Sequence, residues 1–225
     1  MVCIRRWQSA VAQSRLVTGE GMTVLNEWKG RRKQVKHNHM HGDFHEFTFS
    51  CYHRLPLLTN NLWRERLSRS IGSACVESHM ELVAFVYMPE HAHLLVFPLD
   101  PEPDIGEFLS LVKRPVSNFV KTWLIESNSP MLKRLTVQER PAKKSFRFWQ
   151  EGPGFDRNLF KPTALQNVID YIHNNPVRRK LCARAVDWKW SSARYYLLEP
   201  PCQQFPELPY LHGLRSEAFD NDISS

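Results

Sequence analysis

Residues 80–100 read MELVAFVYMPEHAHLLVFPLD. Two apolar runs, Leu82–Tyr87 and Leu94–Phe97, flank MPEHAH, a pattern that predicts two antiparallel strands meeting at a short turn at Pro89–Glu90. Upstream, FHEFTFSCYH places Phe44, Phe47 and Phe49 among aromatic and β-branched neighbours, which predicts a first strand. Between them, Leu62, Leu67, Ile71 and Ala74 recur at helical spacing, with Asn60 or Asn61 as N-cap.

Downstream, Asp104 precedes an amphipathic run of Ile105, Phe108, Leu109, Val112 and Val116, with Pro115 expected to kink or end the helix. Residues 124–147 read as a loop-rich basic insertion, and FRFWQEG at 146–152 as a further short strand. Thr163 is placed to cap ALQNVIDYIHNN, and Pro176 to stop it. The order strand, helix, strand, strand, helix, strand, helix predicts an α+β fold with a ferredoxin-like antiparallel sheet and helices packed on it. The division expected is a basic N-terminal extension over 1–43, partly disordered, a single domain over 44–196, and a Pro-rich, acidic C-terminal tail over 197–225.

Composition limits the class of protein. At 225 residues, with 42% hydrophobic and 24% charged residues, the chain has ordinary globular usage and room for one domain with tails. No apolar run approaches the roughly 18 residues of a membrane span, and the N-terminal stretch is too polar for a signal peptide, so a soluble cytoplasmic protein with no membrane partner is expected. The five cysteines are odd in number, far apart and without a CxxC pair, which speaks against a disulfide framework or a cysteine zinc site. The net charge of +7 favours an anionic partner, and the segment Lys113–Trp149 carries +7 by itself. Aromatic residues interleave with these charges, a mixture suited to neutralising phosphates and stacking unpaired bases; a solvated basic face over core aromatics is the plainer alternative.

Two local patterns carry chemistry. In His91-Ala92-His93 the strand period of two points both imidazoles to one face, where they can reach one metal ion, although two histidines are an incomplete site and serve a structural role as readily. In Asp170-Tyr171-Ile172-His173-Asn174-Asn175-Pro176, the core stripe is Leu165, Val168, Ile169 and Ile172. Tyr171 and Asn175, four apart, lie together on its flank and offer a hydroxyl and an amide oxygen. A tyrosine at such a place also serves as an ordinary amphipathic rim residue.

Taken in order, VYMPEHAHLLV, FWQEG, IDYIHNNPVRR and VDWKWSSARYY resemble the single-tyrosine transposases with a His-hydrophobic-His motif, specifically the REP-associated, IS200-like branch; the resemblance runs from about Phe44 to Tyr196. It implies a nuclease domain that cleaves and rejoins single-stranded DNA beside palindromic hairpins, with DNA transposition as the outcome. By motif, His91 and His93 correspond to metal ligands, Tyr171 to the nucleophile and Asn175 to the polar metal-binding position one helical turn later. The implied cofactor is a divalent metal, Mg²⁺ or Mn²⁺. A phenol of pKa about 10 becomes an effective nucleophile once deprotonated, and a divalent ion can polarise the phosphate it attacks. The resemblance further implies a covalent 5′-phosphotyrosine intermediate.

Phe155, in GPGFDRNL, stands where relatives are expected to carry another aromatic, often Tyr, and Tyr171 is preferred as nucleophile for its DYIxxNP context. Lys113, Arg114, Lys121, Arg178 and Arg179 are candidates for phosphate contacts, with Trp149 or Trp188 for base stacking. The protein is expected to act as a monomer, with a dimer as the alternative, on nucleoid DNA. Two rival functions share these residues: a domesticated, catalytically silent hairpin-binding protein, and a metal phosphoesterase turning over without a covalent intermediate.

Overall fold

In the computed structural model, which describes residues 42–152, 154–198 and 205–214, strand β1 spans Phe44–Ser50 and helix α1 spans Asn61–Glu77. The side chain of Asn60 caps α1 by accepting from the Trp63 amide at 3.4 Å. Strands β2 (Met80–Tyr87) and β3 (His91–Pro98) follow, turning at Pro89–Glu90 as their apolar runs predict. A bulge at Val83 lets Leu82, Phe85 and Tyr87 face one side of the sheet while Ala84, Val86 and Met88 face the other. Both sides are covered, which is why β2 reads as an unbroken apolar run.

Helix α2 runs from Ile105 to Glu126, capped by Asp104. It buries Phe108, Val112, Val116, Val120 and Leu124, a stripe with a spacing of four, and packs with α1 on the face of the sheet that holds Phe47, Phe49 and Leu94. Of the kink or end expected at Pro115, the end does not occur: Pro115 lies inside α2. The flanking Val112 and Val116 are fully buried, and this burial offsets the roughly 3 kcal/mol that an interior proline costs.

The segment expected as a loop-rich insertion is instead a short helix α3 (Met131–Arg134) followed by a separate hairpin of β4 (Thr136–Arg140) and β5 (Lys143–Phe146). Part of its positive charge is matched internally, because Glu139 pairs with Lys143 at 3.0 Å and with Arg147 at 2.5 Å. The fourth strand of the main sheet is not 146–152 but β6, Phe155–Leu159. Trp149 makes a single bridge to Cys51, and the chain then turns through Gly152 and Gly154, both at positive φ, before pairing with β1. The resulting order, β2-β3-β1-β6 with every neighbouring pair antiparallel, is ferredoxin-like.

Helix α4 (Pro162–Arg178) covers the second face, burying Leu165, Val168, Ile169 and Ile172 against Val83, Ala84, Val86 and Leu95. Pro162, not Thr163, opens it, and Pro176 does not stop it. The last turn is closed by the Arg179 amide donating to the Asn175 carbonyl at 3.1 Å, and Pro176 is itself buried.

The outer edge of β2 is sealed rather than free. The Tyr87 amide donates to the Trp190 carbonyl at 2.8 Å, the Phe85 amide to Ser192 Oγ at 2.9 Å, and the Leu82 amide to His212 Nδ1 at 3.2 Å. A short helix α5 (Ala193–Leu197) follows Ser192, and Leu211 enters the core. Residues 1–41, 199–204 and 215–225, which hold most of the expected extensions, lie outside the described residues. Among the described residues no helix is long and apolar enough to cross a membrane.

A Cβ on Gly154 would overlap the Thr48 carbonyl oxygen, and its φ of +88° is one that other residues adopt under strain. Gly154→Ala is therefore expected to lower stability by about 1–3 kcal/mol and to loosen β6 from β1, read from the denaturant midpoint and amide exchange across 155–159.

Candidate active site

His91 and His93 open β3 and, through the strand period, face the α4 side of the sheet. Thr48 stands opposite His93 and Ser50 opposite His91 on β1. Glu90, in the turn before β3, accepts from His91 Nδ1 at 3.0 Å, so His91 carries its proton there and keeps a lone pair on Nε2. Asn175 Nδ2 donates to His93 Nε2 at 3.2 Å, and His93 Nδ1 lies 2.8 Å from Thr48 Oγ1, an arrangement that places the His93 proton on Nδ1. His91 Nε2 and His93 Nε2 approach to 3.1 Å. Two ring nitrogens this close are suited to a shared cation once the Asn175 amide turns its N–H away from His93.

Burial keeps both imidazoles neutral. It holds His93 down at about 3, with the charges of His91 and Arg54 adding to the effect, and lowers His91 against the opposing pull of Glu90. Glu90 would itself be raised by burial, but the hydrogen bond from Arg179 and the charges of His91 and Arg179 bring it below the usual carboxylate value. Arg179 Nη1 reaches Glu90 Oε1 at 2.6 Å and Arg54 Nη2 reaches it at 3.3 Å. One carboxylate thus ties the last turn of α4, the segment after β1 and the turn before β3.

The fit of a divalent ion rests on this donor set. His91 and His93 supply two neutral nitrogens with oriented rings, and Asn175 supplies an amide whose oxygen faces them after a flip of the side chain. Among the described residues no group of three His, Cys, Asp or Glu side chains could hold a metal, and the polar side chain that stands against the pair from α4 is the Asn175 amide.

Tyr171 stands one turn before Asn175, with 40% of its surface exposed. Its ring meets His93 edge-on, centroids 5.4 Å apart, and the Arg178 guanidinium lies 5.1 Å from its centroid. Tyr171 and His93 border an open cleft of about 600 Å³ between α4 and the β1–β6 edge.

The structure therefore gathers His91, His93, Tyr171, Asn175, Arg178 and Arg179. It does not bring the remaining candidates there. Lys113, Arg114 and Lys121 belong to α2, on the opposite face of the sheet; Lys113 is pushed down to about 8 by burial and sits over the Phe49 ring at 5.1 Å. Trp149, expected to stack on bases, is a core residue instead, edge-on to Phe49 and Phe148, because its indole fills the end of the α2–sheet interface and donates to the Lys113 carbonyl at 3.0 Å. Trp188 is half-buried and donates to the Tyr87 carbonyl at 3.0 Å. Sequence reasoning missed Thr48, Glu90 and Arg54. Glu90 was visible as the residue beside the His pair, whereas Thr48 becomes visible only through the β1–β3 register and Arg54 only through the turn that follows β1.

His173, on the same helix, is held near 4 by burial and meets Ser192 Oγ at 2.8 Å. An unfolded histidine takes up a proton near pH 6.5, which folded His93 and His173 refuse, so stability is complete above that pH and declines as pH falls. In metal-free protein, unfolding midpoints between pH 7.5 and 4 should show this decline, with His173 accounting for on the order of 3 kcal/mol. His173→Gln should flatten the profile.

Comparison with known proteins agrees with this architecture. A solved REP-associated tyrosine transposase bound to a REP hairpin superposes with a TM-score of 0.54 at 18% identity, over 81% of this chain and 97% of that one, a likeness of fold. A Deinococcus radiodurans R1 protein described as a transposase matches with a TM-score of 0.38 at 17% identity, over 59% of this chain and 88% of that one, too slight to bear on the fold. No curated protein matches the chain. The sequence pattern of the family described as "Transposase IS200 like" matches residues 39–175, more than half of the chain. With its ferredoxin-like sheet, the chain belongs to the IS200-like transposase family.

Proposed function

We propose that the protein is a metal-dependent single-strand DNA endonuclease and strand transferase that acts beside palindromic hairpins, with Tyr171 as nucleophile. The observation that carries this reading is the placement of an exposed tyrosine against a buried, neutral histidine pair and an amide. Family membership supports DNA as the substrate, and the REP hairpin bound by the solved relative supports a hairpin-bearing strand.

His91, His93 and Asn175 would hold a divalent ion, Mg²⁺ or Mn²⁺, which when bound would supply positive charge at a non-bridging phosphate oxygen. The chain's residues do the rest. The Tyr171 oxygen forms a bond to phosphorus as its proton leaves to solvent, the bond from phosphorus to the 3′-oxygen breaks, and that oxygen takes up a proton as a 3′-hydroxyl. The product is a 5′-phosphotyrosine, and attack by a second 3′-hydroxyl reverses the step, conserving phosphodiester bonds without an external energy source. Arg178 packs on the phenol ring and puts positive charge beside the attacked phosphate. Glu90 accepts the His91 Nδ1 proton and so fixes that tautomer, and Thr48 holds the His93 ring in place.

Mixing the protein with single-stranded oligonucleotides carrying the palindromes beside its own gene, plus Mg²⁺ or Mn²⁺, should yield a covalent adduct on denaturing gels. Tyr171→Phe is expected to remove the adduct entirely while hairpin affinity changes less than about threefold, since a phenol hydroxyl adds little to binding. Hairpin binding without adduct or cleavage by the wild type would instead establish a catalytically silent binder.

A further inference from the structure

The cleft beside Tyr171 has a wall that the strand-transfer step does not use. Phe155 begins β6, pairs in register with Thr48, and keeps 52% of its surface exposed. Two residues on, Arg157 lies opposite Glu46 on β1 and donates to Glu46 Oε2 from Nε at 3.0 Å and from Nη2 at 2.6 Å. Glu46 is buried, so this ion pair is fixed in place and its net charge is zero. Two of the five guanidinium N–H groups are engaged with Glu46, leaving three as donors on a side chain that is half exposed and borders the cleft. Asn167 and Tyr171, four apart on α4, form the facing wall.

A phosphate gains little from a site whose arginine is already neutralised. A flat heteroaromatic ring gains from both features, a π face on Phe155 and hydrogen-bond donors two residues along the same strand, in the lining of the same cleft. We propose that this cleft is a nucleobase subsite: one unpaired base next to the phosphate attacked by Tyr171 stacks on Phe155, and Arg157, positioned by Glu46, reads the acceptors on its edge. The proposal rests on the reading of Tyr171 as nucleophile for the identity of the strand, and it adds the point at which the protein itself selects among bases. Arg157 suits a base edge with adjacent acceptors and disfavours one that presents an amino group there. A paired base has its face covered by its stacked neighbours, so the subsite also selects single-stranded over duplex DNA.

The test uses the full-length protein and the same hairpin-bearing strands, with 2-aminopurine placed in turn at each unpaired position flanking the hairpin. Binding should quench fluorescence strongly at one position. Phe155→Ala should abolish that quench and weaken capture of the unpaired segment about tenfold or more, with Phe155→Trp restoring both. Because Phe155 is exposed, neither change threatens folding. Arg157→Lys, which keeps the charge opposite Glu46, should flatten the preference among the four bases at that position.

The two readings fail separately. A quench lost in Phe155→Ala, without any covalent adduct in the wild type, keeps the subsite and overturns strand transfer. An adduct that forms in the wild type and in Phe155→Ala with equal efficiency and equal base preference overturns the subsite. Quenching spread evenly over all unpaired positions, or unchanged in Phe155→Ala, also overturns it.

Discussion

The burial of one stripe of α4 against the second face of the sheet sets everything at the site. Leu165, Val168, Ile169 and Ile172 leave the helix one rotational setting, because turning it by a single residue, about 100°, would lift the stripe off Val83, Ala84, Val86 and Leu95. In that setting Tyr171 and Asn175 fall on the flank nearest β3. The chemistry is therefore positioned by packing. The polar contacts from Asn175 and Tyr171 to His93 follow from a rotation that the apolar contacts have already determined.

The sheet contributes the complementary constraint. Its strand period aims both histidines at α4, and its antiparallel register sets Thr48 beside His93 and Arg157 beside Glu46. Buried histidines and buried carboxylates are costly unless each finds a partner, and here each has one. The imidazoles remain neutral, whereas Glu90 and Glu46 are each held by arginines from other segments. The positive charge evident from composition is distributed differently from what a simple tally conveys. Part of it is matched by Glu139 in the β4–β5 hairpin, part lies on α2 across the sheet, and the arginines at the site mostly hold carboxylates and rings.

How much of this was legible beforehand depended on the range of the interactions involved. The β2–β3 hairpin, the stripes of α2 and α4, the paired histidines and the Tyr171–Asn175 flank are local periodicities and appear in the structure as read, whereas the α1 stripe holds for Leu67, Ile71 and Ala74 but not for Leu62, which is exposed. Local rules failed where tertiary burial overrode them. Pro115 and Pro176 both sit inside helices because the residues around them are anchored in the core. The fourth strand was misplaced because FRFWQEG has strand composition, whereas the free edge of β1 is filled by the chain beyond Gly154, which alone can pass the Thr48 carbonyl. Trp149 looked like a stacking platform for a similar reason: composition does not tell whether an indole faces inward. Glu46 and Arg157 are 111 residues apart, and nothing local in either strand announces their pairing.

Glu90 joins the His91 ring to Arg179 at the end of α4 and to Arg54 beyond β1. Such a shared anchor makes the affinity of the histidine pair for a ligand and the docking of the helix terminus two expressions of one coupling free energy, and the coupling is reciprocal. Fraying of the last turn of α4 weakens the hold on the His91 ring. Occupancy of the histidine pair, in turn, disfavours the opening of that turn, so the helix carrying Tyr171 is most firmly seated when the site is loaded.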